Sequence, residues 1–241
     1  MADFFGNLDW TILLNVIPAL MCITIHELAH GYTAYKLGDP TAKRLGRLTL
    51  NPVKHIDPIG LLMMVFFRFG WAKPVPVDMR NFNKPKQGMA ITALAGPLSN
   101  ILLAMGFLLV LRLAASSLTG MSGLSIEGFI ILMFTNTSPQ TTGEVIFFLI
   151  ARGAQISIAL AVFNLLPIPP LDGSKILFSL LPKHLYYKLM HYERFGIILL
   201  VLFINTDLFS HTIGYAVLLL FFAPLYFMGM ISPELYYAVI K

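Results

Sequence analysis

Long runs of apolar residues divide this chain, and few folds are open to a chain divided in that way. The runs fall at residues 10–37, 89–115, 144–166, 195–208 and 212–231. Lipid offers no water to satisfy a backbone N–H or C=O, so a segment that crosses it must pair those groups internally. For runs of this length that means helix. Composition agrees, with 57% apolar residues, 12% charged residues and a mean hydropathy of +0.75, where a soluble domain carries about 25% charged residues. The expectation is an all-α polytopic membrane protein with about five to six transmembrane helices in one domain over 1–241. The run at 195–208 is the shortest, with the least defined ends. Two further runs, 59–69 and 174–181, are shorter than the roughly 20 residues that span hydrocarbon. The first is expected to be re-entrant or interfacial. Arg47-Leu48-Thr49-Leu50 and Lys73-Pro74-Val75-Pro76-Val77 are β-prone or proline-rich and bounded by Gly, Asn and Pro, so a small membrane-associated β-structure is expected between the first two full spans.

The net charge of +5 reads as topology. Lys36, Lys43, Arg44, Arg47 and Lys54 lie in one interrun segment, and Arg68, Lys73, Arg80, Lys84 and Lys86 lie in the next. Lys183, Lys188 and Arg194 lie in a third, while 116–143 has no Lys or Arg. The positive-inside tendency puts the basic segments in the cytoplasm, the N-terminus outside and the C-terminus inside, as a multi-pass protein of a bacterial inner membrane. No basic patch interleaved with aromatics points to nucleic acid. The single cysteine, Cys22, excludes an internal disulfide and a cysteine metal cluster. The N-terminus lacks the positive region of a signal peptide, so the first run is expected to be retained.

That first run contains His26-Glu-Leu-Ala-His30. Residues four apart on a helix differ by about 40° and about 6 Å of rise, so both imidazoles share one face. Two histidines so placed, with Glu27 beside them, make the two-ligand-plus-base pattern of a zinc hydrolase. Ionisable groups in an apolar helix are costly and need a partner, which strengthens the reading over a polar cluster that only packs helices. Zinc needs a third protein ligand, and Asp172 is the ionisable residue in a comparable setting. It follows Pro167, Pro169 and Pro170, which break the helix, and precedes Gly173, which permits a sharp turn. Asp172 is read as the third ligand, with an N-cap for the helix from Ser174 as the other role, or as both at once.

Four motifs, His26-Glu-Leu-Ala-His30, Ala95-Gly-Pro-Leu-Ser-Asn100, Gly70-Trp-Ala-Lys-Pro-Val-Pro-Val77 and Asn164-Leu-Leu-Pro-Ile-Pro-Pro-Leu-Asp-Gly173, make the chain resemble the site-2 protease family of intramembrane zinc metalloproteases. Asn51-Pro-Val-Lys-His55-Ile-Asp57-Pro-Ile-Gly60 is similar to a further family element, and the resemblance covers about residues 10–185. It implies one Zn2+ per chain on His26, His30 and Asp172, Glu27 as general base, and cleavage within or beside transmembrane segments of membrane-protein substrates. Residues 1–185 form the family core, and the helices of 186–241 are a candidate gate. Asp78-Met79 stands where Asn-Pro is expected, and no appended PDZ domain is present, which counts against regulated two-step cleavage.

Asn100 and Asn164 are candidates to hold an oxyanion or orient a ligand, with an interhelical hydrogen bond as the structural alternative. Gly88, Thr92, Ala95, Gly96 and Ser99 give their helix a small-residue face for close contact. His55 with Asp57 is either a support to the ligands or a loop hydrogen bond. Val75, Pro76, Val77, Pro169 and Pro170 are candidates to line a substrate groove, since a peptide must unwind before cleavage and extended segments can capture it. His184, His191 and His211 read as interfacial and structural. Arg152 and Gln155 carry no assignment beyond pairing of Arg152 with Glu144 or Asp207, or snorkelling. Two rival functions stand beside the protease. A zinc or divalent-metal transporter needs ligands along several spans, whereas here they converge at one depth. An inactive relative that binds membrane proteins is disfavoured by the intact Glu27 and ligand set. The sequence carries no indication of oligomeric state.

Overall fold

The computed structural model describes residues 11–60, 62, 72–128, 130 and 139–240. Helix α1 spans Thr11–Lys36 and α2 is the single turn Thr41–Arg44. After 3-10 turns at Pro52–His55 and Met79–Asn81 come α3 (Pro85–Ser122) and α4 (Thr142–Asn164). Two short helices follow, α5 (Asp172–Ser179) and α6 (Lys183–His191). The chain closes with α7 (Gly196–Ile204), α8 (Asp207–Phe227) and α9 (Pro233–Ile240).

The ends of these helices follow from local chemistry. Gly38 takes φ 108° just past α1, and Asp39 N–H donates to the Ala34 carbonyl at 2.9 Å. That is the left-handed glycine stop, and it turns Asp39 back toward the helix. Helix α3 opens on Pro85, where the missing N–H costs nothing because the first turn has no partner for it. It ends before Gly123 at φ 73°. It therefore extends beyond the expected 89–115 at both ends, over 38 residues.

Two helices, Pro85–Ser122 and Thr142–Asn164, are long and apolar enough to cross a membrane, with mean hydropathies of 2.2 and 2.1 in their most apolar windows. Only 22% of the first window is buried. Leu94, Leu98, Leu102, Leu109 and Leu113 of α3 are exposed. A core helix of a soluble protein buries such residues, whereas a helix in lipid can leave them outward.

The chain forms two units. One comprises Met1–Met21, Leu102–Ile158 and Tyr215–Lys241, the other Cys22–Ile101 and Ala159–Gly214. In the first, Arg112 Nε donates to the Met228 carbonyl at 3.1 Å, and Ser232 N–H donates to Glu127 at 2.8 Å. Arg152 donates to Gln155 Oε1 at 2.8 Å and stacks over Phe148 at 5.1 Å. The second unit holds every residue of the candidate site.

Three expectations change. The small β-structure is absent: among the described residues there is one isolated antiparallel bridge, Ile56 with Ala72, and neither 47–50 nor 73–77 is a strand. Pro74 and Pro76 remove alternate ladder donors, and the Val75 N–H goes to a side chain instead. The run expected at 195–208 forms a helix of nine residues, about 14 Å long against about 30 Å of hydrocarbon. The run expected at 212–231 forms Asp207–Phe227. The re-entrant or interfacial assignment of 59–69, and the Gly70-Trp71 start of one motif, lie largely outside the described residues.

Candidate metal centre

His26 and His30 lie one turn apart on α1, both buried, with their rings edge to face and their Nε2 atoms 3.0 Å apart. Asp172 reaches them from the first turn of α5, its Oδ2 lying 3.2 Å from His26 Nε2 and 3.0 Å from His30 Nε2. Its second oxygen lies 3.8 Å from Lys175 Nζ, and Lys175 is in turn 3.6 Å from Glu193. Of the two roles open to Asp172, capping is not the one adopted. Leu171 is the N-cap and makes no side-chain cap bond.

The turn that delivers Asp172 is built by close backbone approach. Helix α4 stops at Asn164, ahead of Pro167. Leu171 N–H donates to the Ile168 carbonyl at 2.9 Å, and the Ser174 hydroxyl donates to the Leu171 carbonyl at 2.7 Å. A Cβ on Gly173 would sit 2.2 Å from the Leu165 carbonyl oxygen. Glycine is needed there for contact and not for a left-handed turn, since Gly173 is helical.

Small residues on α3 serve the same end. A Cβ on Gly96 would lie 2.4 Å from His30 Cε1 and 2.6 Å from His26 Cε1, so the helix can touch both imidazoles only as glycine. One turn earlier, the Thr92 carbonyl accepts from His30 Nδ1 at 2.7 Å. That fixes the tautomer and leaves the Nε2 lone pair facing His26 and Asp172. The buried Asn100 amide lies 3.3 Å from His26 Nδ1. With its carbonyl edge turned to the ring, it would accept Nδ1–H and free the other Nε2 lone pair.

These donors fit a zinc ion. His26, His30 and Asp172 each offer one ligand atom, all within 4.8 Å of one another. Tetrahedral zinc with bonds of about 2.0–2.1 Å wants its donors about 3.3 Å apart, and the observed separations are 3.0–3.2 Å. Two imidazoles and a carboxylate facing one another need a proton or a metal cation between them.

Glu27 is half-buried beside the cluster, and its Oε2 accepts from Val75 N–H at 2.7 Å. A cavity of about 870 Å³ is lined by His26, Glu27, His30, Asp172 and Asn164 together with Val75, Pro76, Val77 and Pro170. Asn164 Nδ2 donates within its own helix, to the Leu160 carbonyl at 2.9 Å. Pro169 instead packs on Gly196, where a Cβ would lie 2.3 Å from it. The structure draws His55 away from the centre: its Nε2 donates to the Thr49 carbonyl at 2.9 Å, the loop role left open by the sequence.

Comparison with known proteins gives the family. The model for peptidase family M50 matches residues 15–204. The chain belongs to peptidase family M50, the site-2 proteases. A Bacillus subtilis protein named "Putative zinc metalloprotease YwhC" is 42% identical over 192 residues, covering 79% of this chain and 80% of that protein. Rip2 of Mycolicibacterium smegmatis, under the same designation, is 28% identical over 67% of this chain and 54% of its own length. MJ0611 of Methanocaldococcus jannaschii, again so designated, is 26% identical over 73% of this chain and 77% of its own. No solved structure matches. The protein is a zinc metalloprotease embedded in the membrane, and the transporter and non-catalytic readings are not favoured.

Several residues around this M50 centre escape sequence reading. Thr92 acts through its carbonyl, which no side-chain pattern signals. Lys175 and Glu193 meet only because α5 and the turn after α6 fold together. Asp39, Arg47 and Asn81 hold the 73–78 segment, and only Asp39 has a local hint, following a helix-ending glycine. Burial works to raise the Asp39 carboxyl, but hydrogen bonds from the Thr41 hydroxyl, Asp78 N–H and Asn81 outweigh it and keep it below the ordinary carboxylate range.

Proposed function

We propose that this M50 protease cuts peptide bonds within or next to transmembrane segments of membrane-protein substrates, with Glu27 as general base and His26, His30 and Asp172 as the zinc ligands. The observation that carries the reading is the convergence of three buried donor atoms at about tetrahedral spacing in one cavity with Glu27. When bound, zinc supplies Lewis acidity, polarising a carbonyl and making water a better acid.

The chain's own residues do the rest. Glu27 takes a proton from water in the cavity and returns it to the leaving amine. Thr92 and Asn100 keep the imidazoles oriented for metal. Asn164 faces the same cavity as a polar group for the substrate backbone. Val75, Pro76, Val77 and Pro170 line an extended path, which suits an unwound peptide and not an intact helix. In Glu27→Gln the expected result is zinc at one per chain and cleavage lowered by at least about 10²-fold, the contribution of a positioned proton-transfer group. Retained chelator-sensitive cleavage in that variant would refute the role.

The Lys and Arg distribution supports a cytoplasmic centre in a bacterial inner membrane, with the N-terminus outside and the C-terminus inside. By length, α1, α3, α4 and α8 can cross. Reaching five or six crossings requires the segment containing α7 to cross as well, by local thinning of the bilayer. Residues 1–241 act as a single protease domain, with the helices of 186–241 as its gate.

A further inference from the structure

The segment 73–78 borders the cavity without a partner strand among the described residues, yet it is held along its length. At its start, Arg47 Nη2 donates to the carbonyls of Lys73 at 2.8 Å and Pro74 at 3.3 Å. At its end, Asp39 Oδ2 accepts from Asp78 N–H at 2.7 Å. Asp39 Oδ1 accepts from Asn81 Nδ2 at 2.7 Å and from Thr41 N–H at 3.0 Å. In the middle, Val75 N–H donates to Glu27. The Val75 side chain lies over Gly31, where a Cβ would come within 2.9 Å of it.

Asp39 is fully buried and Arg47 is 8% exposed. Burying a charge is costly unless strong hydrogen bonds compensate. Here both charges spend those bonds on the segment or its flank. Charge-assisted bonds to backbone groups are stronger and geometrically stricter than neutral ones. A carboxylate on a free side chain samples several rotamers, whereas one pinned by a fixed N–H presents its other oxygen in a constant direction.

We propose that Asp39 and Arg47 are positioning residues, which clamp the 73–78 strap at both ends so that the Val75 amide holds Glu27 in its working orientation. The inference rests on the reading of Glu27 as the general base. It predicts that the clamp acts on the rate of the bond-breaking step and not on zinc occupancy.

The experiment uses the full chain, zinc-loaded and in lipid nanodiscs, with Asp39→Asn, Arg47→Met and the milder Asn81→Ala in case the first two fold poorly. Zinc content, unfolding temperature, and kcat and KM on a membrane peptide are measured. In parallel, Val77→Cys in a Cys22→Ala background reports strap release through the rate of thiol modification. The expected result is zinc at one per chain with kcat lowered on the order of 10²-fold, the effect of misplacing a catalytic group by about 1 Å. KM should change by less than about threefold, as for an interaction used in the transition state alone. Thiol modification should quicken about tenfold or more, reflecting loss of a charge-assisted bond. Asn81→Ala should move both readouts in the same direction by less. Unchanged thiol modification overturns the clamp, as does a faster reaction with kcat unaltered, or activity lost only in step with zinc. If wild type shows no chelator-sensitive cleavage, the protease reading of these residues fails, and thiol modification alone decides whether the clamp exists.

Discussion

A methyl group at residue 96 would occupy the space of two metal-binding imidazoles, since the added carbon would stand 2.4 Å from His30 and 2.6 Å from His26. Gly96→Ala must push α3 or the rings aside, and overpacking of this kind costs about 1–3 kcal/mol. Paid from the bound state, it lowers zinc affinity by about 10- to 100-fold, measurable by competition with a chromogenic chelator. Gly173→Ala meets backbone, at 2.2 Å from the Leu165 oxygen, so no side chain can yield. The turn itself must move, and Asp172 with it. That variant should lose both zinc and thermal stability, and its unfolding temperature should no longer respond to added zinc. At this scale the candidate ligands and Glu27 were legible because an ionisable group in an apolar run is conspicuous. Gly96 was legible only as a small residue and Gly173 only as a turn-former, because what a glycine touches is absent from its own neighbourhood in sequence.

The strap at 73–78 shows how an extended segment can be fixed without a sheet. Its prolines remove ladder donors, so Asp39 and Arg47, on either side of α2, take over backbone groups. The Asp39 bond needs a charged acceptor, which gives a pH dependence. Asp39 is held below the ordinary carboxylate range. Asp78 is lowered to about 2 by its hydrogen bonds from Arg80, the side chain foremost. A carboxyl lowered in the folded state stabilises it above the unfolded value and loses that contribution as pH falls through the folded one. The unfolding temperature in detergent should therefore fall as pH drops from about 4 toward the folded values, starting near the unfolded carboxyl pKa. Asp39→Asn should flatten part of that fall. An identical acid profile in the variant would remove Asp39 from the account. The expected strands are missing here because β-propensity describes side-chain fit to a pleated surface, and among the described residues no neighbouring strand supplies that surface.

For the whole molecule, zinc should act as a folding ligand as well as a cofactor. A metal that binds only the folded chain, present at 100 times its Kd, stabilises it by about 2.7 kcal/mol. For a chain of this size that is about 5–10 °C in unfolding temperature. Chelation should lower Tm by that amount in wild type and leave His26→Ala and Asp172→Ala unmoved. A topology reporter fused after Lys241 should read out on the cytoplasmic side. A reporter found outside would remove the nine-residue Gly196–Ile204 helix from the crossings and make their number even.

The apolar runs, their loop charges and the pentapeptide at 26–30 were decided by the sequence alone, because periodicity, solvation and one helical turn are local physics. They yield the helical class, the membrane setting and two of the three candidate ligands with the proposed base beside them. The sequence leaves Asp172 as a ligand, a helix cap or both, and only tertiary structure sets its carboxylate against the two imidazoles, with Leu171 at the cap position. Tertiary structure alone decided that a threonine carbonyl on α3 sets the tautomer of His30, and that Gly96 must stay bare. It also decided that a buried Asp and a buried Arg on either side of α2 bond to the strap that meets Glu27. Each of these is a contact between residues far apart in the chain, and such a contact leaves no periodic or compositional trace in either partner.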